Sequence, residues 1–257
     1  MKNLAIITAR GGSKRIPKKN IKDFCGKPII SYSIKAALNS KIFDEVMVST
    51  DDETIAQTAI KYGANVPFMR SKETSDDFAT TADVLNEVLA EYKKRGRTFE
   101  YMCCIYPTAP FVTDEVLKKS FIYMQEKKAD ALNPVVRFSY PPQRAMVIQN
   151  DLLVFRDPKN FRTRSQDLEP WYHDAGQYYF WKVDKFKDGV IENTVPYILD
   201  DLHVQDIDNL DDWEIAELKY NVIVFRSNYS LLKYWGVLKL NSPKCFFKAE
   251  EMISDAC

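Results

Sequence analysis

The sequence predicts an α/β protein built on a mainly parallel central sheet, and three observations carry that expectation. Short apolar runs at residues 4–7, 45–50, 101–106 and 131–137 alternate with amphipathic helical stretches, the pattern of βαβ units. The run at 101–106, Tyr-Met-Cys-Cys-Ile-Tyr, is apolar without alternation, as expected of a strand covered on both faces. A basic loop with two adjacent glycines follows the first strand, and open α/β sheets bind ligands at the carboxyl ends of their strands.

Each element has a local reason. Pro28 suits the first position of a helix over 29–39, with Ile30, Ile34 and Leu38 on one face. Thr50 to Glu53 fits a capping box that opens a helix to about Tyr62, with Gly63 as its stop. Residues 66–70 form a brief extended segment, and 71–77 a polar loop. A helix over 81–95 places Val84, Leu85, Val88, Leu89 and Tyr92 on one side, and Gly96 closes it. Pro107 and Pro110 end the central strand, and Thr113 starts a helix to about Lys127. From 138 to 171 four prolines break the pattern, leaving a strand candidate at 152–155. A segment of this length is more often functional than idle, and it reads as an excursion subdomain: a lid, a subunit contact, or both. Strands are expected again at 177–182 and 196–199, then a helix over 210–220 with Ile215, Ala216 and Leu218 inward. Residues 221–257 read as an appendage to a 1–220 domain, with an edge strand at 222–225 and an apolar stretch at 231–240.

Composition narrows the function. The 257 residues carry 36 Lys plus Arg and 36 Asp plus Glu. No global charge therefore advertises nucleic acid or an acidic membrane surface. No stretch approaches the ~20 apolar residues of a membrane span. The start of the chain lacks the pattern of a signal peptide. Five cysteines without CxxC spacing suit reduced thiols in a cytoplasm.

The chemistry concentrates in two places. The loop after the first strand holds Gly11 and Gly12 among Arg10, Lys14, Arg15, Lys18 and Lys19. Glycines let a ligand approach the main chain, permit positive φ and expose amides that can cradle an anion. The bland alternative is a solvated basic loop. GxxxxGK[ST] and GxGxxG are both absent, which disfavours a P-loop ATPase or a Rossmann dehydrogenase. The second place is Asp206 and Asp208, two carboxylates two residues apart that project to one side of an extended segment and can share Mg²⁺. Alternatively, Asp208, Asp211 and Asp212 simply cap the helix that follows. Together the two places suggest a nucleoside triphosphate with magnesium.

Residues 9–20, Ala-Arg-Gly-Gly-Ser-Lys-Arg-Ile-Pro-Lys-Lys-Asn, resemble the ARGGSKxxPxKN signature of the acylneuraminate (nonulosonate) cytidylyltransferases. Residues 48–51, Arg70, Tyr106 to Pro110 and Asp206 to Asp208 follow in the family's order, over about residues 2–220. The resemblance implies a three-layer, Rossmann-like nucleotidyltransferase (GT-A-like) fold and transfer of CMP from CTP to a nine-carbon 2-keto sugar acid, with Mg²⁺ and release of pyrophosphate. It implies that Arg10 and Lys19 hold the triphosphate and are catalytic with Asp208, and that Asp206 and Asp208 carry the metal. Gly11, Ser13, Lys14, Asn20, Arg70 and Thr81 would complete the nucleotide site.

For the sugar, the resemblance implies Arg144 and Arg164 as cations for its carboxylate, often across a dimer interface, with His173, Asp174, Gln177 and Tyr179 for its hydroxyl and acetamido groups. Tyr106 stands where many sialate enzymes have Gln. His173 suits an ordinary loop position, and Tyr106 and Tyr179 suit core packing, equally well. Residues 172–179, Tyr-His-Asp-Ala-Gly-Gln-Tyr-Tyr, are similar to the motif of members acting on pseudaminic acid. The expected partners are CTP and the sugar acid, with a homodimer formed through the excursion. Legionaminic or N-acetylneuraminic acid is the alternative sugar. Another sugar nucleotidylyltransferase, a GT-A glycosyltransferase and a non-catalytic nucleotide-binding module are the alternative classes.

Overall fold

A computed structural model describes residues 2–187 and 191–234, with side chains to residue 227. In chain order it has β1 (Asn3–Thr8), β2 (Asp23–Phe24), β3 (Lys27–Pro28), α1 (Ile30–Ser40), β4 (Glu45–Ser49), α2 (Glu53–Lys61), α3 (Thr81–Lys94), β5 (Tyr101–Ile105) and α4 (Asp114–Glu126). There follow β6 (Ala131–Arg137), β7 (Met146–Gln149), β8 (Leu152–Phe155), β9 (Tyr172–Asp174), β10 (Tyr178–Lys182), β11 (Thr194–Leu199) and α5 (Leu210–Tyr234).

The main sheet runs β11-β6-β10-β5-β1-β4, with β9 added beside β6. β1 pairs in parallel with β4 and β5, and β11 with β6. β10 is antiparallel to both of its neighbours, and β9 is antiparallel to β6. The sheet is therefore mixed but mainly parallel, as the apolar runs implied. β5 is buried at every residue. Its alternate side chains feed two cores: Cys103 and Ile105 join α1 and α4, while Met102 and Cys104 join α3.

Helix starts follow side-chain chemistry. Asp52, rather than Thr50, caps α2 by accepting from the amides of Thr54 and Ile55, because an Asp one residue before the helix reaches those donors directly. Thr80 and Asp83 form a reciprocal capping box on α3. Thr113 caps α4. Pro28 lies in β3 rather than at the head of α1, and Ile29 is the N-cap. Ile30 and Ile34 are buried as expected, but Leu38 is partly exposed.

The end of the described chain departs most from expectation. α5 continues past 220 to Tyr234, so residues 222–225 are helical rather than an edge strand. Its buried positions are Trp213 and Ala216, with Tyr220 and Ile223 packed against them, whereas Ile215 and Leu218 are exposed. Trp213 and Tyr220 meet Phe24 edge-on, with ring centroids 5.6 and 5.5 Å apart. That aromatic cluster, which also includes Tyr32, selects the buried face. The apolar stretch beyond residue 234 lies outside the described residues. The excursion contains one two-stranded hairpin, β7–β8. Among the described residues no helix is long and apolar enough to cross a membrane.

Candidate active site

β1 delivers the basic loop to the carboxyl ends of β4 and β5. The amide of Ala9 donates to the carbonyl of Ser49 (2.9 Å) as the chain leaves the sheet, and the Gly11 amide donates to Asp51 Oδ1 (2.8 Å). A Cβ at residue 11 would fall 2.9 Å from the Cβ of Asp52, so glycine is required there for close approach. Positive φ is not the reason: neither Gly11 nor Gly12 adopts it, and the left-handed residue of this loop is Lys18, at φ 52°. The expected cradle of amides is also partly engaged within the protein, since the Ser13 amide donates to the Gly11 carbonyl (2.9 Å). The cations offered to an anion are those of the side chains.

Those side chains converge. Arg10, Ser13, Lys14, Lys19, Asn20, Arg70, Thr81, Tyr106 and Asp208 line one cleft of about 320 Å³, together with Arg15 and Asp77. Asn20 is buried and donates through Nδ2 to the carbonyl of Arg10 (2.8 Å), bracing the loop. Lys19 Nζ donates to the carbonyl of Ile207 (2.7 Å). Burial lowers the Lys19 pKa, while Asp208 and Asp206 act in the opposite sense. Arg70 is buried, and its Nε and Nη2 donate to the hydroxyl (3.0 Å) and carbonyl (2.6 Å) of Ser49. Burial lowers its pKa as well, against the pull of Asp51 and Glu87.

One carboxylate in the cleft has no counterpart in the sequence reading. Asp77 accepts from Arg10 Nη1 (2.9 Å) and from Lys14 Nζ, and these two partners hold its carboxyl below the usual range. The polar loop that carries it is anchored at one end by Glu87, which accepts from the Ser71 amide and the Ser71 and Thr74 hydroxyls. The Thr80–Asp83 cap anchors the other end. Asp77 thus lies on two of the cations that a triphosphate would need.

Ile207 is buried at 1% exposure, so Asp206 and Asp208 project to the opposite side of the segment, as alternate positions must. Asp208 pairs with Arg15 (2.9 Å) and lines the cleft, whereas Asp206 is exposed beside it. Helix capping falls to Asn209 and Asp212, whose side chains accept from each other's amides. Asp208 is therefore not needed as a cap. Among the described residues no group of three His, Cys, Asp or Glu side chains is gathered. A divalent ion held here would draw its remaining oxygens from phosphate and water, a donor set that suits Mg²⁺. The Arg15 side chain, 68% exposed, can leave Asp208 readily.

A second compartment of about 480 Å³ adjoins the first and shares Thr80, Thr81 and Tyr106 with it. Asp174 and Tyr179 line it with Asn133, Leu85, Trp181 and Phe186. The Tyr179 hydroxyl donates to the Asp174 carboxylate, 2.9 and 2.8 Å from its two oxygens. Burial raises the Tyr179 pKa strongly, with Tyr106 and Asp174 adding to the effect. The rings of Tyr106 and Tyr179 pack edge to face at 5.7 Å, so Tyr106 both packs and lines the two compartments.

Four expected sugar-site residues fall elsewhere. Gln177 is buried at 2% exposure and its Nε2 donates to the His203 carbonyl (2.7 Å). That bond ties the start of β10 to the segment leading to Asp206 and occupies the amide that a sugar would need. His173 is exposed, with Nδ1 2.8 Å from the Asp174 carbonyl and its ring against Phe138. Arg144 donates to Ser165 (3.2 Å) and Arg164 pairs with Asp167 (2.8 Å). Both belong to the excursion, and neither lines either of these two compartments. Asp77, Asn133, Trp181 and Phe186 were missed by sequence reasoning. No motif marks them, since only the folded sheet brings them to the cleft.

A family model described as Cytidylyltransferase matches residues 4–191. The chain belongs to the cytidylyltransferase family. Among relatives of this cytidylyltransferase, the pseudaminic acid cytidylyltransferase of Campylobacter jejuni serotype O:2 is 43% identical over 228 residues, covering 86% of this chain and 97% of the relative. The CMP-N,N'-diacetyllegionaminic acid synthase of Legionella pneumophila is 31% identical, covering 84% and 95%. A solved CMP:2-keto-3-deoxy-manno-octonic acid synthetase complexed with CTP superposes with a TM-score of 0.60 at 18% identity, covering 85% and 98%. At that identity the likeness establishes the fold, and it agrees with the nucleotidyltransferase architecture expected from the motifs.

Proposed function

We propose that this cytidylyltransferase transfers CMP from CTP to the anomeric hydroxyl of a nonulosonic acid, pseudaminic acid in the first place, and releases pyrophosphate. The single observation that carries the reading is the pair of joined compartments. One is lined by Arg10, Lys14, Arg15 and Lys19 beside Asp208; the other is smaller in charge and lined by Asp174, Tyr179 and aromatic rings. A triphosphate suits the first and a sugar the second, with Tyr106 and Thr81 at their junction.

The reaction forms a bond between the sugar oxygen and the α-phosphorus and breaks the bond to the β-phosphate. It needs positioning and charge neutralisation more than covalent chemistry. Arg10 and Lys19 hold the triphosphate and stabilise charge that develops on the leaving pyrophosphate. Ser13, Lys14 and Asn20 keep the loop and phosphates in register, and Arg70 and Thr81 border the cytidine half. Asp206 and Asp208 would hold Mg²⁺, which when bound neutralises phosphate oxygens.

Pyrophosphate release with CTP and a panel of pseudaminic, legionaminic and N-acetylneuraminic acids tests the reading. Release with none of them overturns it. Preference for N-acetylneuraminic acid overturns only the choice of sugar. A chelator is expected to abolish release and added Mg²⁺ to restore it, and undiminished release in the chelator would dismiss the metal.

The reading includes a homodimer through the excursion. It is supported by the exposed apolar side chains of the β7–β8 hairpin, among them Ile148 and Leu152 at 76% and 67% exposure, since such patches mark contact surfaces. A cytoplasmic setting is supported by the free thiols of Cys25, Cys103 and Cys104.

A further inference from the structure

We infer that Asn133 is a specificity-determining residue that recognises an N-acylamino substituent of the sugar; the inference rests on the reaction proposed above. Asn133 occupies the middle of β6, opposite Pro196 of β11. Asparagine is a poor strand residue, and a half-buried amide without partners is unfavourable. Its side chain makes no hydrogen bond to any described residue, although the strand around it is otherwise packed: Leu132 and Val136 are at 0% and 2% exposure. What it faces is the second compartment, alongside Asp174 and Tyr179.

The chemistry of that compartment matches one kind of substituent. A primary amide offers an oxygen acceptor and two N–H donors, and its Nδ2 can donate to the C=O of an acylamino group. A hydroxyl in place of the acylamino group has neither that carbonyl nor an acyl methyl. Asp174, whose carboxylate accepts from Tyr179, cannot substitute, because a carboxylate has no N–H to donate to an acyl carbonyl. Leu85, Trp181 and Phe186 supply an apolar wall of the same compartment, where an acyl methyl is sheltered from water. Asn133 therefore reads the polar half of an acetamido group, and the wall takes its methyl.

The test compares pyrophosphate release by the wild-type protein, Asn133→Ala and Asn133→Asp. The substrates are pseudaminic acid and analogues in which one acetamido group is replaced by hydroxyl. The wild type is expected to prefer the diacetamido sugar. Losing one hydrogen-bonded contact should raise KM for that sugar about tenfold, leave KM for CTP unchanged and bring acetamido and hydroxyl analogues to near parity. Asn133→Asp keeps the size of the side chain but has no N–H to donate, so it should lose the same discrimination with the strand packing intact. Unchanged discrimination in both variants, with CTP binding retained, overturns the inference and leaves the reaction standing. Absence of release by the wild type with every sugar overturns the reaction, and the inference with it.

Discussion

Arg10 and Asp77 show at single-residue scale how the site is set. Arg10 reaches into the cleft but donates to Asp77 Oδ1 and to the carbonyl of Asp76 (3.1 Å). Its donors are already aligned before an anion arrives. If Arg10 neutralises charge that develops on pyrophosphate, Arg10→Ala should lower kcat on the order of 10²-fold or more, read in steady-state pyrophosphate release, while a change confined to KM would limit Arg10 to ground-state binding. Asp77 competes for the same cations. Because both of its pairs are exposed and such pairs are weak, Asp77→Asn should tighten CTP binding only by roughly two- to five-fold. Titration calorimetry with CTP and with CMP separates the effects, since CMP lacks the β and γ phosphates. Weaker CTP binding in the variant would show instead that Asp77 assists the nucleotide.

The basic loop is the element on which the site depends. Two neighbouring glycines look equivalent in the sequence, yet they face different surroundings. A Cβ at Gly11 meets Asp52 at 2.9 Å, whereas one at Gly12 meets nothing within 4 Å. Gly11→Ala must therefore push the loop away from the head of α2 and disturb the bond to Asp51. It should raise KM for CTP about tenfold or more, whereas Gly12→Ala should behave like the wild type. Equal behaviour of the two variants in the same assay would remove the close-approach argument. At the other end of the site, α5 positions Asp208 indirectly. Trp213 and Ala216 seat the helix against Phe24 and Phe111, and the Asn209–Asp212 cap fixes the turn that presents Asp208.

For the whole molecule, the arrangement of Arg144 and Arg164 bears on assembly. Both are outside the two compartments described above, on the excursion that also exposes Ile148, Leu152 and Leu153. A sugar carboxylate needs a cation, and a partner's excursion is the proposed source. Light scattering at micromolar concentration should give a dimer, and Ile148→Asp with Leu152→Asp should yield monomers with impaired sugar use. A fully active monomer would end the dimer proposal.

The sequence by itself determined the longer strands of the main sheet and the helices that alternate with them up to residue 220, because apolar runs and caps act within a few residues of chain. It also singled out the basic loop, with Arg10, Lys14 and Lys19, and the alternating Asp206 and Asp208, because those patterns are local and carry charge. It misjudged the buried face of α5, where Ile215 and Leu218 looked inward. That choice belongs to Phe24 and Tyr32, almost 190 residues earlier in the chain. Only the tertiary structure decided that Gln177 braces the fold, that Asp77 engages Arg10 and Lys14, and that Asn133 faces the second compartment unpartnered. Each of these depends on which strands pair and where a loop folds back, contacts made across long separations that no local pattern encodes.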